Sequence, residues 1–286
     1  MNRKLKWFAA LIALVPAGAA LGQDAKGFTD KLPPTPDSPG TTVTWEMVAI
    51  PGGTLKGFKA NKDAEPKDVA IKPFFMAKTE TTWDTYEIYY NARDIADRKE
   101  ATRLIEAKVR PSKPYESPTF NFGQAGFPAL ASTRQAAVKY CEWLSGKTGK
   151  TYRLPTSAEW EWAARGGADT LTPEQIKEMA WYADNSATDD FPDGQTHPAG
   201  KLKPNGYGLH DMFGNVAEWV LEPGEDALIN PVAAGGSWKT KLEDLSPSYR
   251  QKQMKSWNVR DPQDPKSKWW LSDGKFVGFR VVVDKK

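Results

Sequence analysis

Beyond Gly167 this chain offers no run long or regular enough to build a helix bundle or a doubly wound sheet. DNSATDDFPDG, KPNGYG, LEPGED and RDPQDPKSK separate short apolar pieces, and their prolines and glycines interrupt both the helical and the alternating period. Proline fixes one backbone dihedral and removes a donor, while glycine opens conformations closed to other residues. A compact solution must therefore be irregular backbone pinned by large side chains. The 12 tryptophans supply such pins.

Regular elements are legible mainly earlier. STRQ predicts a helix with Ser132 as N-cap and Gln135 three residues on; Ala136, Ala137, Tyr140, Cys141 and Leu144 recur on one face, and Gly146 and Gly149 end it. Cys141 on that stripe reads as a buried small side chain rather than a reactive thiol. Thr156 and Glu159 form a capping box for a second helix, with Trp160, Ala163 and Ala164 inward and Gly166-Gly167 as terminator. VTWEMVAI reads as a first strand stopped at Gly52-Gly53, VAIKPFFMAKTETT as a second extended stretch, and Thr82 to Tyr90 as a short helix. GKFVGFRVVVD reads as one final strand. Two early helices, scattered strands and long irregular connections make the class α+β.

Residues 1–22, MNRKLKWFAALIALVPAGAALG, have the layout of a secretory signal: Arg3, Lys4 and Lys6, then an apolar run ending in small residues. The run is interrupted by Pro16 and Gly18 and is short for a membrane span, so no membrane span is expected after cleavage and the location expected is periplasmic or secreted. The leader's three cations account for the whole formal charge of +3. A neutral remainder carries no footprint for nucleic acid. Residues 23–41, with Pro33, Pro34, Pro36 and Pro39 and few large apolar groups, read as a spacer, which leaves 42–286 as the folded domain. One cysteine and two histidines exclude a disulfide framework and a zinc site built on cysteine or on three histidines.

NGYGLHDMFGNVAEW, residues 205–219, crowds glycines and two carboxylates together without any period. It allows two readings: a tight turn capped by Asp211 with Glu218 solvated, or a chain curled so that Asp211, Glu218 and main-chain carbonyls face a hard cation. The EF-hand spacing is absent. Together with MVAIPGGTL, FFMAKTETTWDTY, AAVKYCEWLSGKTGKTYRLPTSAEWEWAARGG, WYADNS, THPAG, GGSW and VGFRVV, this stretch resembles, in order and from about Val43 to Asp284, the formylglycine-generating enzymes, the sulfatase-modifying-factor domain. The resemblance implies a fold related to the C-type lectins, an extracytoplasmic location, and one or two calcium ions. Carried over by position, the first ion would take Asp211, the carbonyls of Gly214 and Val216, and Glu218. The second would begin at Asn185 and Ser186, with Asp189, Asp190 and Asp193 either completing it or forming a solvated acidic loop.

Enzymes of that family use a cysteine pair after the GGS word to bind copper(I). Here that segment, GGSWKTKLEDLSPSYRQKQMKSW, has no cysteine, and Met254 alone is too little for copper, so copper is not expected. The resemblance places Tyr249, Arg250, Trp257, Trp269 and Trp270 near a substrate groove, although core packing is the commoner role of any one tryptophan. The leading expectation is a pseudoenzyme that binds a peptide or saccharide. The alternatives are a cysteine-independent oxidase like the family members that mature siderophores in the periplasm, using Glu218, Tyr249, Arg250 or Asp273, and a cell-envelope adaptor for a protein partner.

Overall fold

In a computed structural model, residues 26–222 and 231–285 are described; the expected leader lies outside them. A five-stranded sheet runs in the spatial order Phe28–Leu32, Val43–Ile50, Phe74–Ala77, Val282–Asp284, Tyr152–Arg153. All its pairings are antiparallel. Because successive side chains on a strand point to opposite faces, Val281 and Val283 enter one apolar cluster and Val282 the other. Helix α1 (Trp83–Tyr90) contributes to the first cluster and its N-cap is Thr82. A short helix α2 (Arg98–Glu106) follows. The long α3 (Arg134–Thr148) completes that side, where Tyr86, Tyr89, Tyr140, Trp270 and Phe279 meet ring to ring. Helix α4 (Ser157–Arg165) sends Trp160, Ala163 and Ala164 into the second cluster, and α5 (Pro173–Lys177) adds Ile176.

A second sheet, of four strands, runs Arg250–Lys252, Val232–Ala234, Ala217–Val220, Val277–Gly278. Its last pairing is parallel. The α+β class holds, with long irregular connections between short strands.

Several elements differ from the sequence reading. The expected final strand is two: Val277–Gly278 belongs to the four-stranded sheet and Val282–Asp284 to the five-stranded one. The crossing between them buries Arg280, whose charge must find partners and so interrupts the ladder. The spacer is corrected as well. Phe28–Leu32 pairs along its whole length with Val43–Ile50, Leu32 is buried, and Asp30 accepts from the Tyr152 hydroxyl at 2.6 Å while pairing with Lys150 at 3.0 Å. A strand too poor in apolar groups to fold alone is ordered by the edge it completes. In α3 the N-cap is Thr133, whose hydroxyl accepts from the Ala136 N–H at 3.1 Å; Gly146 lies inside the helix and left-handed Gly149 ends it. The capping box of Thr156 and Glu159 is present, and Gly166 ends α4 in the left-handed conformation.

Gly214 sits at the centre of the curled segment with φ +73°, and a Cβ there would lie 1.9 Å from the Trp181 carbonyl oxygen. Gly57 has a comparable φ of +64° but open space around it. Urea denaturation of Gly214→Ala is expected to show a loss of about 2–3 kcal/mol. Gly57→Ala, which costs only the backbone conformation, should lose about 1 kcal/mol.

Candidate functional site

Four charged side chains from four segments meet beneath the first sheet. Arg280 comes from the crossing between sheets, Glu218 from the strand Ala217–Val220, Asp211 from the curled segment, and Glu80 from the turn after Phe74–Ala77. All four are buried. The Arg280 guanidinium spends its donors fully: Nε and Nη2 reach Glu218 at 3.0 and 2.7 Å, Nη1 reaches the carbonyls of Ala77 and Lys78 at 3.0 Å each, and Nη2 reaches the His210 carbonyl at 2.8 Å. Trp160 Nε1 donates to the other Glu218 oxygen at 2.7 Å.

The remaining two carboxylates are less well served. Asp211, with φ +54°, accepts from the Gly200 N–H at 2.6 Å through Oδ2, while Oδ1 has no partner. Glu80, 2 % exposed, has no partner on either oxygen. Burial, reinforced by the Asp211 charge, pushes the Glu80 carboxyl well above its usual range. Burial also raises Asp211, against the pull of the Gly200 N–H and Arg280. Three carboxylates thus share one guanidinium, and the orphan oxygens are hard donors of the kind calcium takes. Among the described residues no three His, Cys, Asp or Glu side chains form a ready coordination group, so a cation here would need main-chain oxygens as well.

Asp211 and Glu218 are therefore brought into one buried cluster, and Glu218 is not a solvated turn residue. Its two oxygens are committed to Arg280 and Trp160, which leaves Asp211 and the unanticipated Glu80 with capacity for a cation. Asn215 secures the curl by exchanging hydrogen bonds with the main chain of His197 at 2.9 and 3.2 Å. At the second expected site the donors are already engaged. The Asn185 amide accepts from the Tyr182 N–H at 2.7 Å and donates to the Ala180 carbonyl at 3.0 Å, while the Ser186 carbonyl accepts from Gln195 N–H at 3.2 Å and lies 3.0 Å from His197 Nε2. Asp189, Asp190 and Asp193 are exposed.

The residues expected at a groove separate. Trp257 and Trp269 are buried in the first cluster; Trp270 packs there too but also forms one wall of a cleft. Arg250 is drawn away to α4, where it donates to the Ser157 hydroxyl at 2.6 Å and pairs with Glu161 at 3.2 Å; burial pushes it down to about 10. Tyr249 is half-buried beside it. Asp273 binds Arg260 at 2.7 Å, and although burial alone would raise its carboxyl, the Arg260 N–H, the Ser272 hydroxyl and the Arg260 guanidinium hold it at about 2. Glu218, Arg250 and Asp273 thus serve three different ion pairs rather than one constellation.

The cleft itself, with a cavity volume of about 40 Å³, runs between Pro114–Phe120 and Arg260–Trp270. Tyr115 stands on its rim, 79 % exposed. Past Glu116 and Ser117 it continues to Phe122, Phe191 and Lys275. Sequence reasoning missed this wall; the signal was an aromatic set between prolines in KPYESPTFNF, where Phe120 and Asn121 take left-handed φ of 50° and 62°. The wall is anchored by Arg110, which donates to the Tyr89 carbonyl at 2.7 Å, pairs with Asp94 at 2.9 Å and lies over the Tyr89 and Trp143 rings. Asp94 also holds Lys147 at 2.7 Å and accepts from Trp143 Nε1 at 3.2 Å.

Residues 34–285 match the family model for the sulfatase-modifying factor enzyme 1-like domain, and the chain belongs to that family. It is 28% identical to the chaperone protein LppX of Paenibacillus barcinonensis over 239 residues, covering 73% of this chain and 84% of that protein. It is 30% identical to the formylglycine-generating enzyme of Thermomonospora curvata over 220 residues, covering 62% of this chain and 71% of that enzyme. Among solved structures, Treponema denticola variable protein 1 aligns over 91% of this chain and 99% of its own with a TM-score of 0.61 at 23% identity, a likeness of fold.

Asp94 also gives the fold a pH dependence. Burial alone would raise its carboxyl, but hydrogen bonds from Lys147 and Arg110 outweigh burial and lower it. A depressed folded value means the contribution is present above the unfolded value of about 3.9 and is lost as pH falls through the folded one. Asp94→Asn should cost about 3 kcal/mol at pH 7, since it leaves Arg110 without its partner, and the gap to the parent should narrow once the pH is taken below about 3.9. Urea melts above and below that pH read this directly.

Proposed function

We propose that this chain is an extracytoplasmic, calcium-stabilised binding domain that takes a peptide or saccharide in its cleft and does not generate formylglycine. The carrying observation is the sulfur inventory. The only cysteine, Cys141, is buried in α3 with its thiol pushed up by burial, and the stretch from Gly235 to Trp257 offers no sulfur but the exposed Met254. Copper(I) selects soft thiolate ligands, and that requirement is unmet. The leader-like N-terminus supports export, and no helix among the described residues is long and apolar enough to cross a membrane.

Calcium is proposed at the curled segment, held by Asp211 and Glu80 with the carbonyls of Gly214 and Val216. The orphan oxygens of both side chains support this. The ion would neutralise the excess of carboxylate over guanidinium; Glu218 stays with Arg280 and fixes the strand behind it. One ion is proposed, since the amide and carbonyl at Asn185 and Ser186 are engaged within their own loop.

Two assays on the mature protein test the proposal. Incubation with copper(I), dioxygen and a Cys-x-Pro-x-Arg peptide should yield no aldehyde by mass spectrometry, and a stoichiometric aldehyde product would overturn the loss of catalysis. Metal analysis should find calcium, and calcium at a hundredfold excess over its Kd should stabilise the fold by about 2.7 kcal/mol. Asp211→Asn should abolish that gain; a melting curve indifferent to chelator in the parent protein refutes the calcium half.

A further inference from the structure

Two lysines take up a reciprocal arrangement, and one of them, Lys275, borders the cleft. Lys239 follows Trp238, and Lys275 precedes Phe276. The Lys239 ammonium lies 3.2 Å from the centroid of Phe276, while the Lys275 ammonium lies 5.8 Å from the centroids of both Trp238 and Phe122. Each lysine thus rests on the ring adjacent in sequence to the other. The indole N–H of Trp238 donates to the Lys275 carbonyl at 3.1 Å and ties the two segments together. Ring faces attract ammonium groups and fix where they point.

Among the described residues neither ammonium has a carboxylate within ion-pair reach. Lys239 feels its neighbour: burial first, then the Lys275 charge, push it down to about 8. The charged groups nearby are accounted for elsewhere or lie across the cleft. Asp273 is bound to Arg260, and Glu116 faces Arg260 at 3.6 Å. Asp190 and Asp193 sit on the opposite loop of the cleft that Lys275 borders. Holding two like charges together without a counter-ion is unfavourable, and an anion shared between them relieves it through charge-assisted hydrogen bonds.

We propose that Lys239 and Lys275 form a binding site for an oxyanion, the carboxylate, sulfate or phosphate group of a ligand whose apolar part lies along Phe122 and Phe191. Asp190 and Asp193 across the cleft repel that group and set the ligand's direction. Lys239 lies within the turn that the Thr240 N–H closes on the Ser237 carbonyl at 2.9 Å. Its affinity falls as the pH rises through about 8 and Lys239 loses its proton. The inference deepens the binding reading but does not depend on calcium: oxyanion binding by a protein indifferent to calcium would refute the calcium half and leave this site intact.

The test is titration of the mature protein with sodium sulfate, phosphate and acetate at constant ionic strength against chloride, read by calorimetry and by the lysine ε-methylene NMR signals. Saturable binding that moves the Lys239 and Lys275 signals together is expected, and comparison of the three anions identifies the preferred group. Lys239→Gln and Lys275→Gln should each weaken binding at least fivefold, whereas Lys62→Gln, in the loop joining the paired strands Gly53–Phe58 and Lys67–Ile71, should match the parent. No saturation beyond chloride, or weakening below fivefold in either variant while its melting temperature is unchanged, overturns the proposal. Should a variant fail to fold, the parent's own lysine signals decide: movement of only one of the two, or neither, overturns it.

Discussion

The guanidinium of Arg280 is the constraint on which the rest of this molecule depends. It joins Glu218 of the four-stranded sheet, the carbonyls of Ala77 and Lys78 at the end of a strand in the five-stranded sheet, and His210 at the mouth of the curled segment. A buried ion pair contributes little net stability compared with apolar packing of the same volume, but removing one partner is costly. Its value here is positional. Five donors in a rigid fork specify where three unrelated segments must stop, which irregular backbone alone could not do.

That same fork explains the acidity of its surroundings. Because Arg280 is fully occupied, Glu80 and Asp211 keep unpaired oxygens in a place from which water is excluded. The cluster holds more carboxylate than guanidinium, and burial raises the Glu80 and Asp211 carboxyls in response. The lysine pair beside the cleft is the opposite case, with two cations set on rings and no acid between them. The fold thus carries two charge clusters of opposite sign.

The sequence is most legible where the interactions are local. The capping box at Thr156 and Glu159, the apolar face of α3 and the left-handed glycines at helix ends each depend on residues a few positions apart. What failed depends on distance along the chain. Glu80 and Arg280 are charged residues in apolar-looking strands, and nothing near either announces that they meet. GKFVGFRVVVD alternates like one strand, yet a buried arginine within it divides the segment between two sheets. The tryptophans near the groove sit mostly in the core because aromatic area is worth more there. The true cleft wall, Pro114 to Phe122, carries no helical or strand period at all. For the same reason the family words identified the fold before the residues could identify a ligand.

The strand Phe28–Leu32 bears on how a stable fragment is cut from this chain. The family match begins at residue 34, after the strand has ended, so trimming to that boundary would strip the outermost ribbon of the sheet. Val43–Ile50 would become a bare edge, with unpaired amides and carbonyls available to any neighbouring molecule, and Tyr152 and Lys150 would lose Asp30. A fragment meant to stay monomeric in solution has to begin ahead of Phe28.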